Sequence, residues 1–321
     1  MSPAREDAAR CRVAHAARHA VAACPQQIGA QKIEPRLVRL LTRREKEAAR
    51  LSGDVTPMVQ AVRSLALRGG KRLRPALTVV GALSVQEDAD WELPLEAGVS
   101  LELLQAYFLI HDDWMDHDDE RRGGPTAHVE LARHFGSVEL GAASAILAGD
   151  FALALATAHW ATMALPPRRL APVLACFADM QIAALHGQQL DIVGKTPRPE
   201  LTYELKTASY TVRGPLELGA LLVGGKTRTI DVLRAFARPA GIAFQLRDDL
   251  IGVFGDPKRT GKPRGGDLLQ GKNTALVASA RAQGNAREIA AREKVRGRPR
   301  ASVRDVERAM DALESSGARS A

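Results

Sequence analysis

Residues 95–117 read LEAGVSLELLQAYFLIHDDWMDH. Leucine, alanine, valine and isoleucine fall on nearly every side of a helical repeat, and the run ends in Asp112, Asp113 and Asp116. A helix that is apolar all round belongs at the centre of a helical bundle. Residues four apart share a face, so Asp112 and Asp116 point one way and Asp113 lies one step round. Crowded carboxylates on an apolar helix repel one another and resist ionisation unless a cation neutralises them. Asp118, Asp119 and Glu120 lie beyond the apolar run and read as ordinary solvated charge.

Working outward, helical patterns follow one another from about residue 55 to 284, separated by proline and glycine. Thr56-Pro57 reads as an N-cap followed by proline in the first turn. The stretch GGKRLRP (69–75) is a turn running into a helix, and further helices are expected near 138–164, 168–193, 200–223 and 228–254. Pro239 falls inside the last of these, where proline removes a hydrogen bond and kinks or breaks the helix. No alternating strand pattern of useful length appears, so the expected fold is an all-α bundle. Residues 1–50 read as an Ala/Arg-rich extension, residues 51–321 as one domain, and 281–304 as an arginine-rich solvated loop broken by Gly297 and Pro299.

The bulk numbers narrow the function. Among 321 residues the formal net charge is +8, which favours an anionic partner: nucleic acid, anionic lipid or a phosphorylated small molecule. Aromatics are only 4% and are not interleaved with the basic residues, and no zinc-finger or RNP signature appears, so a nucleic-acid partner is not expected. The cysteines Cys11, Cys24 and Cys176 are widely spaced, odd in number and form no CxxC, which fits a reducing cytoplasm. No uninterrupted apolar run is long enough to predict a membrane span, and the N-terminus lacks the apolar core of a secretory signal.

A second acidic pair, Asp248-Asp249, also follows an apolar helical run, in GIAFQLRDDLIGVFGD. Two such pairs suggest facing walls of a metal-lined cavity, and Mg²⁺ is the cation that bridges carboxylates to substrate phosphates. Basic residues stand beside glycines in GGKRLRP, in Arg121-Arg122-Gly123-Gly124 and in TGKPRGGD, and Lys206 stands beside a hydroxyl in KTASYT. Glycine lets a backbone approach an anion, and guanidinium binds phosphate in two-pronged fashion. Together with metal these describe a site for diphosphates. No Ser-His-Asp or Cys-His arrangement accompanies them, and the histidines read as packing or solvated groups.

GGKRLRP, DDWMD followed by RRGG, GQQLDI (187–192), KTA (206–208), FQLRDD (244–249) and TGKP…GGDL…GK.T occur in the order found in the trans-isoprenyl diphosphate synthases. From about 55 to 284 the chain resembles that family. The resemblance implies an all-α bundle around a deep cavity, a homodimer and about three Mg²⁺ ions. It implies metal-binding roles for Asp112, Asp113, Asp116, Asp248, Asp249 and Asp267. Arg121, Gln188, Asp191, Lys206 and Lys262 would serve the allylic diphosphate. Lys71, Arg74, Gln105 and Arg122 would serve isopentenyl diphosphate, and Thr207 and Gln245 would sit by the developing carbocation. The implied chemistry ionises an allylic diphosphate, and the released diphosphate then takes the proton, so no protein base is needed.

Four features depart from that pattern. Gly252 replaces the usual third aspartate of the second motif, with Asp256 as a further carboxylate nearby; Gln105 replaces a common histidine; Pro239 interrupts a helix; and the chain ends early. Tyr107 and Phe108 lie five and four residues before Asp112, roughly 6–7.5 Å along the helix. As a floor beneath the metal site they would stop a growing chain, and the resemblance to family members with two adjacent aromatics here implies a short product, farnesyl diphosphate first, geranylgeranyl diphosphate second and geranyl diphosphate third. A class I terpene cyclase and a non-catalytic subunit of a heteromeric synthase are the competing expectations.

Overall fold

The computed structural model describes residues 28–196, 198–255, 264–298 and 300–319. Lys262, Asp256, Cys11 and Cys24 lie outside the described residues. The helices in chain order are α1 (Glu34–Leu51), α2 (Thr56–Leu67), α3 (Leu73–Leu83), α4 (Glu92–Met115), α5 (Ala127–Phe135), α6 (Val138–Trp160) and α7 (Pro167–Val193). They continue as α8 (Pro199–Thr202), α9 (Gly214–Leu222), α10 (Thr227–Phe254), α11 (Gly266–Gln270), α12 (Ala275–Gln283), α13 (Ala286–Glu293) and α14 (Val303–Ser315). π-helical segments occupy Ile28–Ile33 and Tyr203–Arg213. The only strands among the described residues are two-residue partners, β1 (Glu120–Arg121) and β2 (Gly124–Pro125). The expected all-α class is therefore what the chain adopts.

Contacts divide the chain into two compact units, 1–177 with 214–234, and 178–213 with 235–321. In the first, α4 is central: it packs on α3, α5, α6 and α9, and residues from Pro94 to Tyr107 are almost all buried. The α3–α9 pairing is unusually close. A side chain at Gly81 would overlap the Leu216 backbone, and one at Gly219 would overlap that of Thr78. The helix α1, inside the supposed N-terminal extension, packs on α2 through an apolar stripe that buries Leu37 and Leu41. In the second unit Val253, Leu268, Leu276, Val277, Val306, Met310 and Leu313 form a core joining the end of α10 to α11, α12 and α14.

Several expectations are corrected. Thr56 is the first helical residue rather than the cap; Val55 takes that place without a side-chain cap bond. The expected single helix over 200–223 is three pieces, with the π-helical segment between α8 and α9. The helix α10 runs through Pro239 without a break. Pro239 is exposed, so the carbonyl deprived of its amide partner lies on the solvated side of the helix. The arginine-rich region is not a loop throughout: Asn285 caps α13 with a reciprocal Glu288 bond, and Arg292 is buried with Nη1 donating to the Val277 carbonyl. Three helices, α4, α6 and α7, are long and apolar enough to cross a membrane by length and composition, because a few charges do not spoil an otherwise apolar window. In this fold the apolar window of α4 is 72% buried inside the protein.

Candidate active site

In the first unit the site begins at the C-terminal end of α4. Helix dipoles leave that end negative, so Asp112, Asp113 and Asp116 add charge where the backbone already repels it. The two members of the pair have different fates. Asp113 is fully buried; Arg121 donates from Nε to its Oδ1, and its Oδ2 has no hydrogen-bond partner among the described residues. Burial pushes its carboxyl up to about 7, against the opposing pull of Arg121. Asp112 and Asp116 are only partly buried, and the Asp116 amide closes the helix on the Asp112 carbonyl at 2.8 Å.

Arg121 and Arg122 sit on the β1–β2 hairpin, whose register pairs Arg121 with Gly124. Its two-residue turn places Arg122 (φ 53°) and Gly123 (φ 72°) in the left-handed region, the geometry that matches strand twist. Arg122 donates from Nη1 to the Gly69 carbonyl at 2.8 Å, which ties the hairpin tip to the GGK loop. Burial, then the neighbouring Arg72, Arg121 and Arg74, hold the Arg122 guanidinium below its ordinary value. A concentrated cationic cluster therefore stands beside the carboxylates of α4. Arg68 fastens it further, donating from Nη1 to the Pro125 carbonyl at 2.5 Å and from Nη2 to Glu130 at 3.2 Å.

Within GGKRLRP the bases separate. Lys71 is exposed and Arg74 half-buried, but Arg72 turns inward onto Glu102 and onto the Ala66 carbonyl at 2.9 Å. Arg72 is thus a buried anchor that positions its neighbours. Glu102→Ala should cost about 3 kcal/mol of stability, because it leaves a buried guanidinium underpaired. Urea unfolding measures this; an unchanged midpoint would mean that Glu34 and the Ala66 carbonyl suffice. Gln105, two turns before Asp112 and on its face, is buried, and its Oε1 lacks a hydrogen-bond partner among the described residues. Phe108 shares that face. The Tyr107 ring packs on the Phe108 ring, with centroids 4.9 Å apart, and edge-on against His111 at 4.7 Å, and His111 Nε2 reaches the Ile146 carbonyl of α6 at 3.1 Å.

The second unit repeats the asymmetry. Asp248 is exposed and Asp249 is 4% exposed. Tyr203 donates its hydroxyl to Asp249 Oδ2, and Gln245 donates from Nε2 to Oδ1 at 2.9 Å. The Tyr203 oxygen accepts from the Ala275 amide, and Gln245 Oε1 accepts from Thr207 Oγ1 at 2.6 Å. Burial raises the Asp249 carboxyl to about 6 despite these donors, with Asp267 and Asp248 adding repulsion. Burial also raises the Tyr203 phenol. Lys206 donates to Asp191 Oδ2 at 2.6 Å, and Gln188 has a buried Nε2 without a hydrogen-bond partner among the described residues. Lys206 and Thr207 lie on the π-helical segment, a distortion that often marks functional positions.

No group of three or more His, Cys, Asp or Glu side chains converges as a ready metal cage among the described residues. Of the six carboxylates that the resemblance implies, Asp113 is engaged by Arg121, and Asp249 by Tyr203 and Gln245. The donor set still suits a hard cation. Mg²⁺ takes one or two protein carboxylates and completes its shell with water and phosphate oxygens. Asp112, Asp116 and Asp248 are the more open members. Gly252 also fits: a side chain there would overlap the Asp267 carboxylate, so the missing aspartate leaves room for one arriving from α11. Arg68, Glu102 and Tyr203 were not singled out from sequence. Tyr203 carried a faint signal, as one of three tyrosines and three residues before Lys206.

The polyprenyl synthetase family model matches residues 56–313. The chain is similar to the farnesyl diphosphate synthase of Escherichia coli, at 36% identity over 73% of this chain and 79% of that protein. It is similar to the short chain isoprenyl diphosphate synthase of Methanocaldococcus jannaschii, at 35% identity over 70% of this chain and 66% of that protein. The crystal structure of a geranylgeranyl pyrophosphate synthase from Corynebacterium glutamicum, complexed with isoprenyl diphosphate and magnesium, superposes with a TM-score of 0.84 at 35% identity, covering 90% of this chain and 86% of that one. Fold and relatives together define a trans-prenyltransferase of the short-chain prenyl diphosphate synthase class. The chain belongs to the polyprenyl synthetase family.

Proposed function

We propose that the chain condenses isopentenyl diphosphate with an allylic diphosphate in a Mg²⁺-dependent reaction, giving farnesyl diphosphate. The observation that carries this reading is the cationic cluster of Arg121 and Arg122 tied to the GGK loop beside the carboxylates of α4. Such a pairing of opposite charges suits a diphosphate held both directly and through metal. Asp112, Asp116 and Asp248 would hold Mg²⁺, with Asp267 in support, while Asp113 and Asp249 keep Arg121, Gln245 and Tyr203 in place. Bound Mg²⁺, about three ions by family resemblance, would neutralise charge on the departing diphosphate.

Lys206, Arg121 and Lys262 would hold the allylic diphosphate, with Gln188 and Asp191 beside it. Lys71, Arg74, Arg122 and Gln105 would orient isopentenyl diphosphate so that its double bond faces the ionising carbon. The Thr207–Gln245 pair offers oxygen dipoles to positive charge that develops there. Released diphosphate accepts the proton. Purified chain with both substrates and Mg²⁺, with product length read by mass spectrometry, tests the reading. Release of a cyclic hydrocarbon from farnesyl diphosphate alone would instead mark a terpene cyclase, and no turnover a non-catalytic subunit.

Phe108 supports a short product, because it shares the Asp112 face one turn below the carboxylates. Phe108→Ala should lengthen the product by at least one five-carbon unit. An unchanged product from both this variant and Tyr107→Ala would move the floor elsewhere. Geranylgeranyl diphosphate, with Phe108 alone acting as the floor, is the second reading. A cytoplasmic homodimer completes the proposal. The exposed Leu140 and Leu147, seven residues apart on one face of α6, give a second copy an apolar strip to cover.

A further inference from the structure

A cleft of about 330 Å³ opens between α1 and the C-terminal end of α6, within the first unit, and it uses none of the residues assigned above. One wall is a single face of α1, on which Arg36, Arg39, Arg43 and Arg44 recur at helical spacing. Leu40 from the same face joins Leu155 and Ala158 of α6 in an apolar floor. His159 and Thr162 stand at the far end.

Part of this positive charge is already matched. Arg36 pairs with Glu92 and Glu96 at 2.7 Å, and Arg43 and Arg44 share Glu47 at 3.3 and 2.7 Å. Arg39 enters none of these pairs, so four guanidinium groups against three carboxylates leave one positive charge in excess. Two further polar atoms are unused: Arg44 Nε and His159 Nδ1 are buried with no hydrogen-bond partner among the described residues. His159 is 8% exposed, and its Nε2 donates to Glu96 at 2.8 Å, which fixes the ring and leaves Nδ1 over. A buried donor (Arg44 Nε) and a buried acceptor (His159 Nδ1) without partners cost free energy, and a bound ligand would supply them.

We infer that this cleft binds a phosphate-bearing amphiphile, with its phosphate on Arg39, Arg44 and His159 and its hydrocarbon on the leucine floor. Phosphate offers several acceptor oxygens to guanidinium forks, and its own O–H can meet an imidazole nitrogen. The volume lies at the small end for ligand sites and suits a short chain. Binding here needs no metal, because no carboxylate in the cleft is left open to hold one.

The test titrates octyl phosphate into the full chain in EDTA, by calorimetry. The expected affinity falls at least tenfold in Arg39→Ala/Arg44→Ala and in Arg39→Glu, and is unchanged in Lys71→Ala/Arg74→Ala. Turnover of the cleft variants without octyl phosphate should stay within about twofold of the parent, which reports that they fold. A parallel arm sediments the protein with phosphatidylcholine vesicles containing phosphatidic acid. Cleft-dependent binding of octyl phosphate identifies a free ligand, and cleft-dependent binding of vesicles alone identifies a lipid headgroup. Absence of both, or binding lost in Lys71→Ala/Arg74→Ala rather than in the cleft variants, overturns the inference.

Discussion

Asp112→Asn should cut turnover about a thousandfold, the scale on which positioned charge stabilises a departing group. Asp112 is the more open carboxylate of its pair and shares a helical face with Asp116, while Asp113 is buried on Arg121. Removing its charge takes away the proposed metal ligand without creating a cavity, so thermal stability should change little. Asp119, exposed beyond the helix, is the matched control, and Asp119→Asn should leave turnover within about twofold. Steady-state kinetics with saturating Mg²⁺ decides. If the two variants behave alike, the acidic cluster is solvated charge and the diphosphate is held elsewhere.

Gly252→Asp, which restores the aspartate usual in the family, should harm the protein. The space a side chain would need is taken by the end of the Asp267 side chain, so the Asp267 carboxylate would be displaced. Overpacking of this kind costs about 1–3 kcal/mol, and placing like charges together adds to it. Gly252→Ala isolates the steric part and should lower the melting temperature by several degrees. Both variants should weaken Mg²⁺-dependent diphosphate binding at least tenfold by calorimetric titration, and Gly252→Asp/Asp267→Gly should recover much of that loss. A Gly252→Asp single variant that binds and turns over better than the parent would mean that Asp267 does not stand in for the missing residue.

Much of the site was legible because its chemistry is costly. Carboxylates on apolar helices, and arginines beside glycines, rarely occur without a ligand, so Asp112, Asp116, Asp248 and the GGK loop stood out. What pattern reading could not give was the division of labour within each pair. Asp112 and Asp113 are adjacent in sequence, yet one is only partly buried and the other is fully buried and accepts from Arg121 eight residues later. Arg72 reads as one more phosphate binder beside Lys71 and Arg74 until Glu102, thirty residues on, is found beneath it. Arg68 and Tyr203 were missed for the same reason, since each acts through partners distant in sequence.

The helix boundaries divide along similar lines. The apolar run of α4 and the alanine-rich α6 follow from periodicity alone, since no other local structure buries such patterns. The unbroken α10 does not, because whether proline breaks a helix depends on which side of it faces water. The helical class, the family and the charged residues of the motifs are readable from local pattern and composition. Packing between distant segments sets which carboxylate of each pair is buried, brings Asp267 to Gly252, and lines one cleft with an arginine face of α1 and a buried histidine of α6. Those outcomes depend on which distant groups share a volume from which water is excluded, and exclusion of water is what turns a charge into a cost or a function.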